Sequence, residues 1–142
     1  MFDKVYVAIA TNPEKHTHMF DQVERRKMME EIIQVHLPVD AVDIIVLQTT
    51  DVVVDVAANL GCDFLIRGIR DQNDISHERM IYDVNKAISN IETIYIMCDK
   101  EMVNVSSSVV RNIIKYSKDR DPVSRINMLK AYIPAIIMGR FV

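Results

Sequence analysis

Long apolar runs are missing from this sequence. None approaches the roughly 18 residues that a membrane-spanning helix needs, so no membrane association is expected. Cysteine is scarce: Cys62 and Cys98 stand far apart, outside any C-x-x-C pair. That spacing argues against a disulfide framework or a cysteine-built metal site and predicts two reduced core thiols in a cytoplasmic protein. Positive charge is not in excess either. Lys and Arg number 17 against 20 Asp and Glu, for a net charge of −3, which is not the balance of a nucleic-acid binder. Anionic ligands would have to be met by local clusters of cations. The four histidines, His16, His18, His36 and His77, fall in no metal-ligand context and read as solvated side chains. The opening Met1-Phe2-Asp3-Lys4-Val5-Tyr6 lacks the charged-then-apolar order of a secretory signal. Low-complexity segments, linkers and internal repeats are also absent.

What is present is an ordinary globular composition, 49% apolar and 26% charged over 142 residues, which suits a single domain, residues 1–142, with its own core. Lys4 to Ala10 contains the run Val5-Tyr6-Val7-Ala8-Ile9-Ala10, as expected of a strand buried on both faces of a parallel sheet. A polar loop, Thr11 to Phe20, follows. Asp21 with Glu24 three residues on predicts a capping box and a helix carrying Val23, Met28, Ile32 and Val35, ended by Pro38. Asp43 to Leu47 reads as a strand. Thr50 opens a helix with Val52, Val53, Val56, Ala57 and Leu60 on one face, stopped at Gly61. Phe64 to Ile66 is a short strand delivering Arg67-Gly68-Ile69-Arg70 at its carboxyl end. A helix from about Ser76 to Ile88 turns Met80, Ile81, Val84, Ala87 and Ile88 inward, and Thr93 to Met97 is the next strand. A helix begins at Ser106-Ser107-Ser108 with Val109, Val110, Ile113 and Ile114 inward, and Pro122 to Pro134 holds one more. The order βαβαβαβαα predicts an α/β fold, a parallel sheet flanked by helices, whose ligands bind beyond the carboxyl ends of the strands.

The polar clusters fall at those ends. Lys15 follows the first strand. Arg67 and Arg70 offer guanidinium forks that match phosphate oxygens, and Gly68 between them lets a ligand come close to the backbone. The three serines open a helix whose first N–H groups and positive dipole end suit a phosphate, with Arg111 one turn later. Glu78 and Tyr82 share a helix face near Asn85, and Glu78 is close enough to pair with Arg70 or to hold a ribose hydroxyl. Taken together these predict a polyanion site on one rim of the sheet, suited to a nucleotide triphosphate and a second phosphorylated compound. One capping serine and solvated surface charges remain the plainer alternative for each cluster alone.

The stretch Leu65-Ile66-Arg67-Gly68-Ile69-Arg70, followed by Asp74, Glu78 and Asn85-Lys86, resembles the segment that marks bacterial phosphopantetheine adenylyltransferases. Val105-Ser106-Ser107-Ser108-Val109-Val110-Arg111 resembles the I-S-S-S/T-x-[VI]-[RK] motif of the wider nucleotidyltransferase superfamily. Met1-Phe2-Asp3-Lys4-Val5 and Asn12-Pro13-Glu14-Lys15 are similar to the family's second strand and the loop after it. The resemblance implies a Rossmann-like fold and adenylyl transfer from ATP to 4′-phosphopantetheine, giving dephospho-coenzyme A and pyrophosphate. It implies Mg²⁺ carried by the ATP phosphates and a hexameric homo-oligomer. By position, Lys15, Val53 and Arg67 would hold the acceptor. Gly68, Ile69, Arg70 and Glu78, with Met102, Val103, Asn104, Val105, Ser106, Ser107 and Ser108, would line the ATP site. Lys15, Arg70 and Ser107 would carry the catalytic charge stabilisation.

The family opens with a strand, a glycine turn and a T/H-x-G-H motif whose last histidine stabilises the transition-state phosphate. The sequence as it stands holds no such motif, so most of the first βα unit is expected to be missing, with strand edges left uncovered. His77 and Met102 also stand where the family often has an aromatic residue and Trp. Pyrophosphate release by the chain as given is therefore expected near background. Two alternatives stay open: a reading frame that begins upstream of Met1, or a catalytically inactive relative or subunit that binds nucleotide. Transfer to another acceptor, such as nicotinamide mononucleotide, is disfavoured by the Arg67 to Asn85 stretch.

Overall fold

The computed structural model describes residues 2–11, 18–37 and 43–142. Its strands are β1 (Lys4–Ala10), β2 (Asp43–Thr49), β3 (Phe64–Ile69) and β4 (Glu92–Met97). Its helices are α1 (Gln22–His36), α2 (Val53–Asn59), α3 (Gln72–Ile88), α4 (Ser107–Tyr116) and α5 (Pro122–Leu129). Short 3-10 segments, Lys100–Met102 and Ala135–Arg140, complete the chain. The alternation is that of an α/β fold with parallel strands and flanking helices, as the sequence pattern implies. Among the described residues no helix is long and apolar enough to cross a membrane.

The chain divides into two compact units. One takes β1 up to Ile9, α1, β2 up to Gln48 and Asn104–Val142; the other takes Ala10 and Thr49–Val103. The described strands pair as two two-stranded ladders, β1 with β2 and β3 with β4, rather than as one four-stranded sheet. β3 and β4 run parallel in the register Phe64↔Glu92 to Ile69↔Met97.

In the first unit the expected capping box forms. The Asp21 carboxylate accepts from the Glu24 N–H at 2.8 Å, and the Glu24 carboxylate accepts from the Asp21 N–H at 3.1 Å. Both orphan donors at the start of α1 are thereby satisfied. Met28, Val110, Leu129, Ile133 and Ile137 form the buried core, with Phe20, Ile32, Ile113, Ile114 and Phe141 packed on it. Val23 and Val35, expected inward, are exposed; the face of α1 that meets Ala135–Arg140 is the one centred on Met28. β1 is not buried on both faces. Ile9 is its one buried residue, because β1 has a single paired neighbour among the described strands. The proline-opened α5 has Asp121 as its cap, with the carboxylate accepting from the Ser124 N–H at 3.0 Å.

In the second unit three boundaries differ from the sequence expectation. α2 starts at Val53, three residues after Thr50, and its cap residue Val52 makes no side-chain capping bond. Val54, which was not among the expected inward residues, is fully buried with Ala57 nearby, whereas Val52 and Leu60 are exposed. β3 runs on through Arg67, Gly68 and Ile69 instead of stopping at Ile66. Pairing with Tyr95, Ile96 and Met97 extends the ladder beyond the apolar run. α3 begins at Gln72, four residues before Ser76, because Asp71 caps it, accepting from the N–H of Asn73 at 2.8 Å and of Asp74 at 3.1 Å.

The apolar stripe of α3 is not inward. Met80, Val84 and Ile88 are exposed, and the buried residue of the helix is Glu78. Two strands about 4.8 Å apart present too narrow a face to cover the broad stripe of a 17-residue helix. Cys62 and Cys98 are free thiols, half-buried rather than in the core.

Candidate active site

Strand alternation orders the Arg67-Gly68-Ile69-Arg70 segment. Along β3, Leu65, Arg67 and Ile69 are the more buried positions and Phe64, Ile66 and Gly68 the exposed ones, a period of two that puts Arg67 on the covered face. There it meets α3. Its Nε donates to Glu78 Oε2 at 2.8 Å and its Nη2 to Glu78 Oε1 at 2.6 Å, a fork-on-fork pair. The Arg67 side chain keeps 42% of its exposure while that of Glu78 keeps 10%. The hydrogen bond to Glu78 raises the Arg67 pKa above its ordinary value, against the opposing effect of burial.

Arg70, just past β3, has a different partner. Its backbone N–H and its Nε both donate to Asp74 Oδ2 at 3.0 Å, and its Nη2 to Asp74 Oδ1 at 3.1 Å. Glu78 therefore pairs with Arg67, not with Arg70 as the sequence spacing allowed. The reason is the extra length of β3, which leaves Arg67 alongside the second turn of α3 and Arg70 beside its first. Asp74 and Glu78, one helical turn apart, each hold one guanidinium.

Tyr95 closes the arrangement. It stands opposite Arg67 in the β3–β4 register and donates its hydroxyl to the Glu78 carbonyl at 3.2 Å. Desolvation, first, and the nearby Glu78 charge raise the Tyr95 pKa. Tyr82 reaches the other way, donating to Glu92 Oε2 at 3.3 Å, and Glu92 also takes the Lys86 ammonium. Among the described residues nothing lies within 4 Å of where a Cβ on Gly68 would sit, and its φ is not positive. The described residues do not demand glycine there.

The remaining sequence-derived residues lie as follows. Lys15 is outside the described residues. Val53 is half-buried at the start of α2, and Ile69 is buried at the end of β3. Met102 ends the exposed 3-10 turn; Val103 and Val105 are half-buried and Asn104 exposed. In the first unit Ser106 is the cap of α4, its Oγ accepting from the Val109 N–H at 3.2 Å. Ser107 and Ser108 are the first two residues of the helix and both are exposed. With the Val109 N–H capped and the Val110 N–H bonded to the Ser106 carbonyl, the Ser107 and Ser108 N–H groups find no acceptor among the described residues. Arg111 Nη2 donates to Ser108 Oγ at 3.0 Å.

The second unit carries two guanidiniums each oriented by a carboxylate, and the first a hydroxyl-bearing helix start with Arg111 bonded to Ser108. A family model described as cytidylyltransferase-like matches residues 1–113. A phosphopantetheine adenylyltransferase of Nautilia profundicola is 40% identical over 84% of this chain and 74% of its own length. Those of Streptococcus pneumoniae and Aquifex aeolicus are 36% and 30% identical, over 97% and 99% of this chain and 77% and 81% of theirs.

The chain belongs to the phosphopantetheine adenylyltransferase family. Within the cytidylyltransferase-like group, the family resemblance read from Arg67 to Lys86 and from Val105 to Arg111 thereby stands. In this phosphopantetheine adenylyltransferase family member, sequence reasoning passed over two residues of the arginine cluster. Asp74 was legible only as part of a motif; its four-residue spacing from Arg70 was the available signal. Tyr95 carried a weaker one, since aligning the starts of β3 and β4 would have set it opposite Arg67.

Proposed function

We propose that this chain serves adenylyl transfer from ATP to 4′-phosphopantetheine, yielding dephospho-coenzyme A and pyrophosphate. An oxygen of the pantetheine phosphate attacks the α-phosphorus of ATP, the bond to the bridging α–β oxygen breaks, and pyrophosphate leaves with that electron pair. The nucleophile is already anionic, so no strong base is required. What the chain has to supply is position and positive charge around the crowded phosphates. Arg67, with Lys15 and Val53, binds the acceptor. By the family resemblance, Gly68, Ile69, Arg70, Glu78 and the segment from Met102 to Ser108 are assigned to the nucleotide, and Lys15, Arg70 and Ser107 to stabilising the charge that grows on the transferred phosphate. Mg²⁺ enters with ATP as part of the substrate. The described residues contain no group of three or more His, Cys, Asp or Glu side chains able to hold a metal, so no residue is assigned to it.

The observation that carries this reading is the pair of guanidiniums at the end of β3, each already oriented by its own carboxylate, in a chain of this family. By the same family resemblance the protein is a hexameric, cytoplasmic homo-oligomer, which sedimentation equilibrium and cell fractionation would check. Isothermal titration tests the site directly. Arg67→Ala is expected to weaken 4′-phosphopantetheine on the order of tenfold or more and ATP much less, as removal of a bidentate phosphate contact does. Arg70→Ala is expected to do the reverse. Equal losses of both ligands in both variants would defeat the assignment.

A further inference from the structure

Separate contacts meet at residues 20–22, where the loop after β1 enters α1. The Phe20 ring stands edge-on to the Phe141 ring, with 4.9 Å between centroids and 69° between planes, the arrangement that aromatic quadrupoles favour. Asp21 closes the capping box with Glu24. One residue further on, Gln48 Nε2 reaches from β2 and donates to the Gln22 carbonyl at 2.5 Å. The other end of the same loop is also held: the Thr11 N–H donates to the Thr49 carbonyl at 3.0 Å.

Phe141 is itself strapped down. Its carbonyl accepts from Arg125 Nη2 of α5 at 3.2 Å, and its N–H donates to the Met138 carbonyl at 2.9 Å. The neighbouring Arg140 Nη2 donates to Glu31 Oε1 of α1 at 2.5 Å. Phe20, Met138 and Phe141 all pack on the buried cluster of Met28, Val110, Leu129, Ile133 and Ile137. Residues 135–142 thus tie α5 to α1 and lay an aromatic ring against the residue that precedes the α1 cap.

Lys15 stands five residues before Phe20. Five residues reach at most about 18 Å, so the place where Phe20 is held bounds where the Lys15 ammonium can act. A lysine that meets a phosphate from an unanchored chain must order that chain on binding. An anchor at residue 20 removes part of that entropy loss before the ligand arrives.

We propose that Phe141 is a positioning residue for the acceptor: through Phe20 it fixes the junction of the loop with α1, so that Lys15 meets the phosphate of 4′-phosphopantetheine. Phe141 touches no substrate. The proposal rests on the acceptor role given to Lys15 above, and it makes residues 135–142 part of acceptor recognition as well as of the core.

The test is isothermal titration of 4′-phosphopantetheine and, separately, of ATP into the wild-type chain, Phe141→Ala, Phe141→Leu, Phe141→Tyr, Lys15→Ala and the double variant Lys15→Ala/Phe141→Ala, at a temperature where circular dichroism shows each variant folded. Phe141→Ala is expected to weaken the acceptor about fivefold and ATP less than about twofold. Phe141→Leu keeps apolar bulk but loses the ring contact, and should weaken the acceptor about two- to threefold; it carries the test if Phe141→Ala does not fold. Phe141→Tyr keeps the ring and should restore the wild-type acceptor affinity, a rescue that general loss of stability does not explain. In the Lys15→Ala background Phe141→Ala should have no further effect on the acceptor, because its influence passes through the ammonium. Equal losses of acceptor and ATP would make Phe141 a general support of the fold and overturn the proposal. So would additive losses in the double variant. If Lys15→Ala leaves acceptor affinity unchanged, the acceptor reading of Lys15 fails first and takes the positioning role with it. If Lys15→Ala weakens the acceptor and the folded Phe141→Ala or Phe141→Leu does not, only the role of Phe141 falls.

Discussion

The unit that ends at Val142 buries Met28, Val110, Leu129, Ile133 and Ile137 in one apolar cluster. Thr49–Val103 buries only Val54, Ala57 and Ile69 among its apolar side chains, leaves Phe64, Ile66, Ile96 and Met97 exposed, and lines α3 with the pairs Arg67–Glu78, Arg70–Asp74, Arg79–Asp83 and Lys86–Glu92. Apolar burial is strong and undirected, whereas an ion pair adds little net stability but sets direction. The difference teaches where to look for chemistry. The first unit holds the larger apolar cluster, and the second uses charged contacts to fix the orientation of Arg67 and Arg70.

Four outcomes would break or sharpen that contrast. The largest effect is expected at Leu129, which has no exposed surface. Leu129→Ala should lower unfolding stability by about 3 kcal/mol, read from urea denaturation; a loss under about 1 kcal/mol would show that the cluster is not the scaffold.

Second comes Arg67→Ala, which leaves the Glu78 carboxylate buried without its partner. It should lower stability by about 2 kcal/mol, and adding Glu78→Gln should restore part of the loss. If the double variant is less stable than Arg67→Ala, the cost lies in packing and not in a stranded charge.

Third, Asp71→Ala removes the cap that accepts from the Asn73 and Asp74 N–H groups. About 1 kcal/mol should be lost, with protection of the first turn of α3 from amide exchange falling before that of its later turns.

The smallest effect is electrostatic and depends on pH. Hydrogen bonds from Arg70 hold the Asp74 carboxyl below its ordinary value of 3.8. A folded-state pKa that is depressed adds stability above the unfolded value and loses it as pH falls through the folded one. The stability gap between wild type and Asp74→Asn should therefore be flat from about pH 8 to pH 5 and close below about pH 4. A gap that instead opened on acidification would reverse the sign of the Arg70–Asp74 contribution.

Local signals in the chain were read well where the physics is local. The Asp21–Glu24 capping box, a capping serine at the start of α4 and the β1 and β4 runs follow from side chains a few residues apart. The arginine segment at a strand end and the serine-led helix start were likewise legible as local features, since residue type and order carry that information. Less was legible where distant segments compete. The length of β3 depends on pairing with β4, and the exposure of Met80 and Val84 on how little sheet lies beneath them, while the start of α3 is set by the Asp71 cap upstream of Ser76.

The amino-acid order by itself determined the alternation of strands and helices, the Asp21–Glu24 cap of α1 and the presence of two arginines around Gly68-Ile69, because each is decided by neighbours along the chain. Only the tertiary structure decided that Arg67 belongs to Glu78, Arg70 to Asp74, and that Tyr95 backs the first pair. Those choices follow from strand register and helix phase, and both are settled by packing between segments that the sequence keeps far apart.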